Sequence, residues 1–138
     1  MGKIVILGVF VADTAYRAAR MPKMGETILG NSFALGPGGK GSNQAVAAGN
    51  LGADVTIITR LANDDFGSMA MQTWENANVK GAIKYSENSY TGAAFIFIDD
   101  ATGDNAIIIA RGAASEISVK DIQANSEIIS STDVFLTQ

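Results

Sequence analysis

The sequence predicts an α/β fold in which the strands of one buried sheet alternate with helices, and three observations carry that expectation. Short aliphatic runs at Lys3–Val9 (KIVILGV), Val55–Thr59 (VTIIT) and Asp133–Leu136 (DVFL) have almost no polar interruption, the pattern of strands covered on both faces in a parallel sheet. Between them, apolar residues recur at helical spacing. Midway the pattern changes: Ala93–Ile98 (AAFIFI) and Ala106–Ile109 (AIII) flank the polar turn "DDATGDN", which reads as an antiparallel hairpin.

Each element has its own signal. Lys3–Val9 opens the sheet. Ser42–Ala53 is alanine-rich and helical, with Gly52 as its stop signal. Val55–Thr59 is the second buried strand. Asp65 is then expected to cap a helix whose apolar stripe is Phe66, Met69, Ala70, Thr73, Trp74 and Ala77. After the hairpin, Ser118 precedes Val119, Ile122, Ser126 and Ile129 at helical spacing, and Asp121 completes a capping box. The only prolines, Pro22 and Pro37, fall in expected turns, and no internal repeat or low-complexity linker interrupts the chain. "DVFLTQ" ends on a strand with nothing to cover it, so the open sheet reads as incomplete.

Composition narrows the chemistry. The chain has 138 residues, 47% of them hydrophobic and 17% charged, enough for one ordinary core. A net charge of −4 with scattered basic residues leaves no footprint for nucleic acid. No apolar run is long enough to span a bilayer, and Met1–Gly8 reads as a strand and not a secretory signal, so the cytoplasm is the expected location. Without cysteine there is no disulfide and no thiol nucleophile; without histidine, neither a Ser-His-Asp triad nor the common catalytic zinc sites can be built. No metal site is expected. Acid–base chemistry falls to carboxylates, lysine or tyrosine.

The densest signal is "GPGGKGSNQAVAAG", residues 36–49. Its first six residues match G-x-G-x-x-G, the dinucleotide fingerprint, but the stretch before it is short and polar and no acidic strand end follows about 20 residues later. It is not a phosphate-binding Walker loop either, because Gly41 follows Lys40 where Ser or Thr is required. Spacing alone leaves open whether the loop binds a ligand or only lets a helix sit close on a sheet. Asn43 lies in the first helical turn, where an amide competes with the backbone unless it is used, and it can both donate to and accept from vicinal hydroxyls. Lys40 sits where a helix N-terminus already makes a positive field. Asp13, just past the first strand, is a second polyol-type ligand; by itself it reads as a solvated turn aspartate.

Over Gly38–Gly67, "GGKGSNQAVAAGNLGADVTIITRLANDDFG", the chain resembles the N-terminal signature of the ribokinase-like (pfkB-type) carbohydrate kinases. "MGET" at Met24–Thr27 and "YTGAAFIFID" at Tyr90–Asp99 fit the same family in the same order. The resemblance implies a three-layer α/β sandwich with a Rossmann-like sheet and a small β-sheet lid, residues 1–138 forming the N-terminal part of one kinase domain. The lid strands then fall at about 14–35 and 93–109, and lids of this kind pair between subunits, so a homodimer is expected. By position, the resemblance makes Asp13, Gly38, Gly39, Lys40 and Asn43 the sugar-binding residues, with Ala94, Ile96 and Ile109 as apolar lid contacts; plain hairpin core is the alternative for those three. It also implies ATP and Mg2+ as cofactors, with K+ as a further candidate, and a small sugar as substrate. Two departures stand out. Val11 occupies a position where ribokinases carry Asn, which puts ribose itself in question, and Asn63 replaces a common glycine in a turn.

The family's phosphoryl transfer depends on a glycine-rich anion hole and a basic aspartate from a second half of the chain. "TGDN" at Thr102–Asn105 is no substitute, because it lies in a hairpin turn. No catalytic residue is therefore expected among these 138, and the reading is the sugar-binding half of a kinase that is inactive alone. The alternatives are a non-catalytic carbohydrate- or nucleoside-binding module and, on the fingerprint match only, a nicotinamide-binding half-domain.

Overall fold

The computed structural model describes residues 2–138. Strand β1 (Lys3–Leu7) runs through Gly8–Phe10 into β2 (Val11–Ala18), and β3 (Ser32–Gly38) returns antiparallel to β2. Helix α1 (Lys40–Asn50) leads to β4 (Asp54–Ala62), α2 (Asp65–Asn76) and β5 (Val79–Ser86). The hairpin β6 (Thr91–Asp99) and β7 (Asn105–Gly112) follows, then a 3-10 turn (Ala113–Glu116), α3 (Val119–Ala124), α4 (Ser126–Ser130) and β8 (Val134–Thr137).

Two four-stranded sheets result. The first, β5-β4-β1-β8, is wholly parallel. The second, β3-β2-β6-β7, is mixed: the hairpin is antiparallel as expected, but β2 pairs parallel to β6, with Asp13 opposite Ala94.

Helices α1 and α2 cover one face of the parallel sheet. Ile6, Val55, Ile57 and Leu61 from its strands meet Ala45, Ala70 and Trp74 from the helices, all fully buried. Trp74 stands edge-on to Phe10 at 6.0 Å, and its indole N–H donates to Ser42 Oγ at 2.9 Å. Close approach of α1 to β1 depends on two glycines: a Cβ on Gly8 would lie 2.7 Å from the Cα of Gly41. Arg60, alternating with Thr59 and Leu61 on β4, reaches from the opposite face to Asp121 on α3, at 3.0 Å from Nε and 3.1 Å from Nη2. Helices thus lie on both sides of the sheet.

Several local expectations need correction. The cap of α2 is Asp64, not Asp65: Asp64 is extended and accepts from Gly67 N at 2.8 Å, while Asp65 opens the helix and puts its charge at the positive end. The helix expected from Val119 to Ile129 is broken in two. Its capping box forms, but Asn125 leaves helical geometry, and its side-chain amide donates to Asp121 O at 2.8 Å in competition with the backbone. Strand β5 has no counterpart in the sequence reading. Lys80, Gly81 and Lys84 interrupt its aliphatic run because it is an edge strand.

Candidate functional site

The two sheets meet at a cleft of about 490 Å3 lined by Val9, Gly39, Lys40 and Asn43 on one side and by residues of the lid strands, Val11 and Asp13 of β2 among them, on the other. Val9 follows the C-terminal end of β1 and Gln138 that of β8, so the cleft opens where an α/β sheet places its working loops.

The glycine loop lets α1 pack closely on β1 and also lines the cleft. Gly39 is held at φ 95°, a backbone geometry that favours glycine, and a side chain there would drive into the carbonyl of Val9. A Cβ on Gly38 would collide with the carboxyl of Asp13. The bare backbone therefore leaves room for Asp13 to stand in the cleft, while Gly41 lets α1 dock on β1. Helix α1 begins at Lys40 with no side-chain cap and no acidic residue in its first turn; Ser42 N–H donates to Val9 O at 3.3 Å, and Gly39, Lys40 and Asn43 bring this positive helix end to the cleft. The fingerprint match fails on topology, since β3 before it is antiparallel and belongs to the lid sheet.

Asp13 is half-buried, and no hydrogen bond reaches its carboxyl from the described side chains. Burial pushes its pKa up from the ordinary carboxylate value. In strand register Asp13 lies in one row with Ala94 and Ile109, and Ala15, Ile96 and Ile107 form the next. The apolar lid residues expected at 94, 96 and 109 therefore share a face with Asp13 and line the cleft. Of the residues singled out in the sequence, only Gly38 stays behind this lining, against Asp13.

The sequence reading missed Ile107, Arg111, Ala114 and Gln138. The signal for Arg111 was one cation ending an aliphatic strand, "AIIIAR". Ala114 is held from behind: Arg60 pairs with Glu116 at 3.3 Å and with Asp121 at 3.0 Å. Burial pushes the Asp121 carboxyl up, but its bonds with Arg60 and Ser118 outweigh that and bring it below the usual range. Asp64 similarly ties the start of the lid, accepting from Thr91 N at 2.8 Å.

A parallel sheet, a helix N-terminus and a β-sheet lid that meet around this cleft define a lidded α/β fold. The chain belongs to the pfkB family carbohydrate kinases, whose profile matches residues 1–137. It is 35% identical to the ribokinase of Bacillus subtilis (strain 168) over 141 residues, covering 100% of this chain and 47% of that protein. Mouse (Mus musculus) ribokinase is 33% identical over 136 residues, covering 98% of this chain and 42% of that protein. The structure of Arabidopsis thaliana ribokinase, complexed with ribose and ATP, superimposes with a TM-score of 0.86 at 29% identity, covering 99% of this chain and 45% of that one. The chain thus spans less than half the length of the curated relatives it matches.

Proposed function

We propose that the polypeptide carrying this chain is an ATP-dependent carbohydrate kinase, and that residues 2–138 supply its acceptor-binding side. One observation carries this reading: Asp13, Gly39, Lys40, Asn43 and the lid residues Ala94, Ile96 and Ile109 surround a single cleft, in a chain of the pfkB family.

The roles follow from chemistry. Ionised Asp13 accepts hydrogen bonds from two hydroxyls, and Asn43 donates and accepts beside it. Gly39 lets the backbone approach the acceptor. Lys40 and the α1 N-terminus supply positive potential where a phosphoryl group arrives. The lid aliphatics exclude water from the reacting hydroxyl. ATP is the donor, by analogy with the plant ribokinase bound to ribose and ATP. Mg2+ and K+ belong to the same expectation. Among the described residues, however, no cluster of three or more carboxylates gathers to hold a metal, and none of these roles uses one. The base that takes the hydroxyl proton is assigned to the part of the kinase domain outside these residues. No described helix is long and apolar enough to cross a membrane, which fits a cytoplasmic enzyme.

The test is phosphoryl transfer by the complete polypeptide across pentoses, hexoses, sugar acids and nucleosides. Turnover of at least one polyol, with KM raised about 10- to 100-fold by Asp13→Ala or Asn43→Ala, is expected from loss of hydrogen bonds to a buried polar ligand. Saturable sugar binding without transfer would identify a binding module instead. Wild-type kinetics in both variants would show the acceptor binds elsewhere.

A further inference from the structure

Arg111 is a cleft residue whose charge a neutral sugar would leave unpaired. It lies on β7, the edge strand of the lid sheet, two residues beyond Ile109 and therefore on the same face. Arg20, Arg60, Lys80 and Lys84 all pair with carboxylates, but neither Arg111 nor Lys40 is within ion-pair distance of one among the described residues. What separates these two from other unpaired cations is the cleft they share.

The charge balance there runs against the rest of the protein. The chain carries a net −4, yet the side chains lining the cleft are two cations, the single carboxylate of Asp13, and otherwise neutral groups. Val9, Val11, Ala94, Ile96 and Ile107 make much of the wall apolar. Both cations are solvent-exposed at the cleft wall, and the apolar residues beside them supply no counter-charge, so an anion entering the cleft meets two unpaired positive groups.

Position separates the two cations. Lys40 stands beside Gly39 at the start of α1, next to the hydroxyl-binding group. Arg111 is two strands away from Asp13 and two residues along, roughly 10 Å across and 7 Å lengthwise at ordinary strand spacings. Its long side chain spans part of that gap. It can therefore touch the end of a five- or six-carbon acceptor remote from the hydroxyls that Asp13 holds. Val11 stands two residues from Asp13 on β2, in the row that crosses β6 to Arg111, as an apolar surface.

We infer that the acceptor is an anionic sugar, a sugar acid or sugar phosphate, and that Arg111 is the residue that selects it by pairing with the carboxylate or phosphate. The planar guanidinium suits either oxyanion bidentately. The inference rests on the acceptor-site reading given above.

The test compares matched acceptors on the complete polypeptide: glucose, gluconate and glucose 6-phosphate, and ribose, ribonate and ribose 5-phosphate. In the wild type, kcat/KM for at least one charged member is expected to exceed that of its neutral parent about 10-fold or more. Arg111→Gln is expected to bring that ratio close to one without changing the KM for ATP, and Arg111→Lys to keep part of it. The charged arm that responds tells carboxylate from phosphate. Preference for the neutral parents, or a ratio indifferent to Arg111→Gln, overturns the inference while leaving the acceptor site in place. So does a raised KM for ATP with every acceptor, which would make Arg111 a ligand of the donor. Asp13→Asn separates the two levels: if it leaves every acceptor's KM unchanged, the acceptor-site reading fails and this inference with it.

Discussion

Asp13 shows what a binding residue costs the protein that carries it. Folding half-buries its carboxyl among Val11, Ala94 and the lid aliphatics and gives it no donor from the described side chains, so its pKa rises. The native state then holds a proton over a pH range in which the unfolded chain has released it. Stability accordingly falls as pH rises from the ordinary carboxylate range through the raised value, and stays lower above it. Asp13→Asn removes that penalty. At pH 7 its melting temperature should lie above that of the wild type, with the gap closing in acid, while its acceptor KM rises about 10- to 100-fold. An unchanged or lower melting temperature would show that the ionised carboxyl is well solvated. The same shift predicts that acceptor KM climbs with acidity sooner than an exposed aspartate would require, because only the ionised form accepts two hydroxyls. Lys40 and Asn43 stood out in the sequence as polar residues at a helix start, whereas Asp13 alone read as a turn aspartate and was picked out by the family resemblance; it lies inside β2. Arg111 did not stand out, since a cation closing an aliphatic strand looks like ordinary edge protection until the fold turns that face inward.

Asp64 does two jobs with one carboxylate, joining helix α2 to the lid. One oxygen accepts from Gly67 N to cap α2, and the other accepts from Thr91 N where β6 begins. Burial pushes this carboxyl up, but the bonds from Thr91 and Gly67 outweigh it and lower its pKa. Thr91 in turn is buried and holds Ala62 N through its hydroxyl at 2.9 Å. Asp64→Ala should cost about 1–2 kcal/mol from the lost cap alone, read as a lower denaturant midpoint, and should also speed amide exchange at Thr91 and Gly92. Exchange that stays slow there would mean the lid is anchored independently of α2. Ser42→Ala is the companion case inside the core: it strands the Trp74 indole N–H, and an unmet buried donor costs about 1–3 kcal/mol. These ties explain which parts of the fold the sequence disclosed. The strands β1 and β4 and the α2 stripe depend on apolar residues alone and were readable, whereas the run read as a buried strand at Val134–Leu136 forms β8 but is exposed, because it is the outer strand of its sheet. Whether Asp64 or Asp65 caps α2 depends on which carboxyl meets Thr91, a contact 27 residues away. The break at Asn125 comes from a local competition, its amide bonding Asp121 O, that apolar spacing does not register, and the edge strand β5 depends on its pairing with β4.

The lid sheet has two faces, and only one belongs to the cleft. On the other, register brings Leu35, Thr14, Phe95 and Ile108 into one row and Phe33, Tyr16, Phe97 and Ala106 into the next. Tyr16 stacks at a tilt with Phe33 at 5.1 Å and with Phe95 at 5.5 Å, yet Phe33 remains 57% and Ile108 68% exposed. A continuous aromatic and aliphatic surface of this kind is uncommon on monomers and common at interfaces. The partner we propose is a second copy of the same lid, which a two-fold axis would allow to cover itself with identical residues. Phe33→Asp and Ile108→Asp put charges on that surface from its two edge strands, at positions exposed enough in the single chain to leave its fold intact. The wild type should sediment as a dimer at micromolar concentration and each variant as a monomer. A mass unaffected by both variants would exclude this face as the contact. Because Asp13 and Ile109 lie on the strands that carry Tyr16 and Ile108, on the side facing the cleft, loss of the dimer should also raise acceptor KM more than it lowers kcat. A monomer with unaltered acceptor KM would mean that the two faces of the lid act independently.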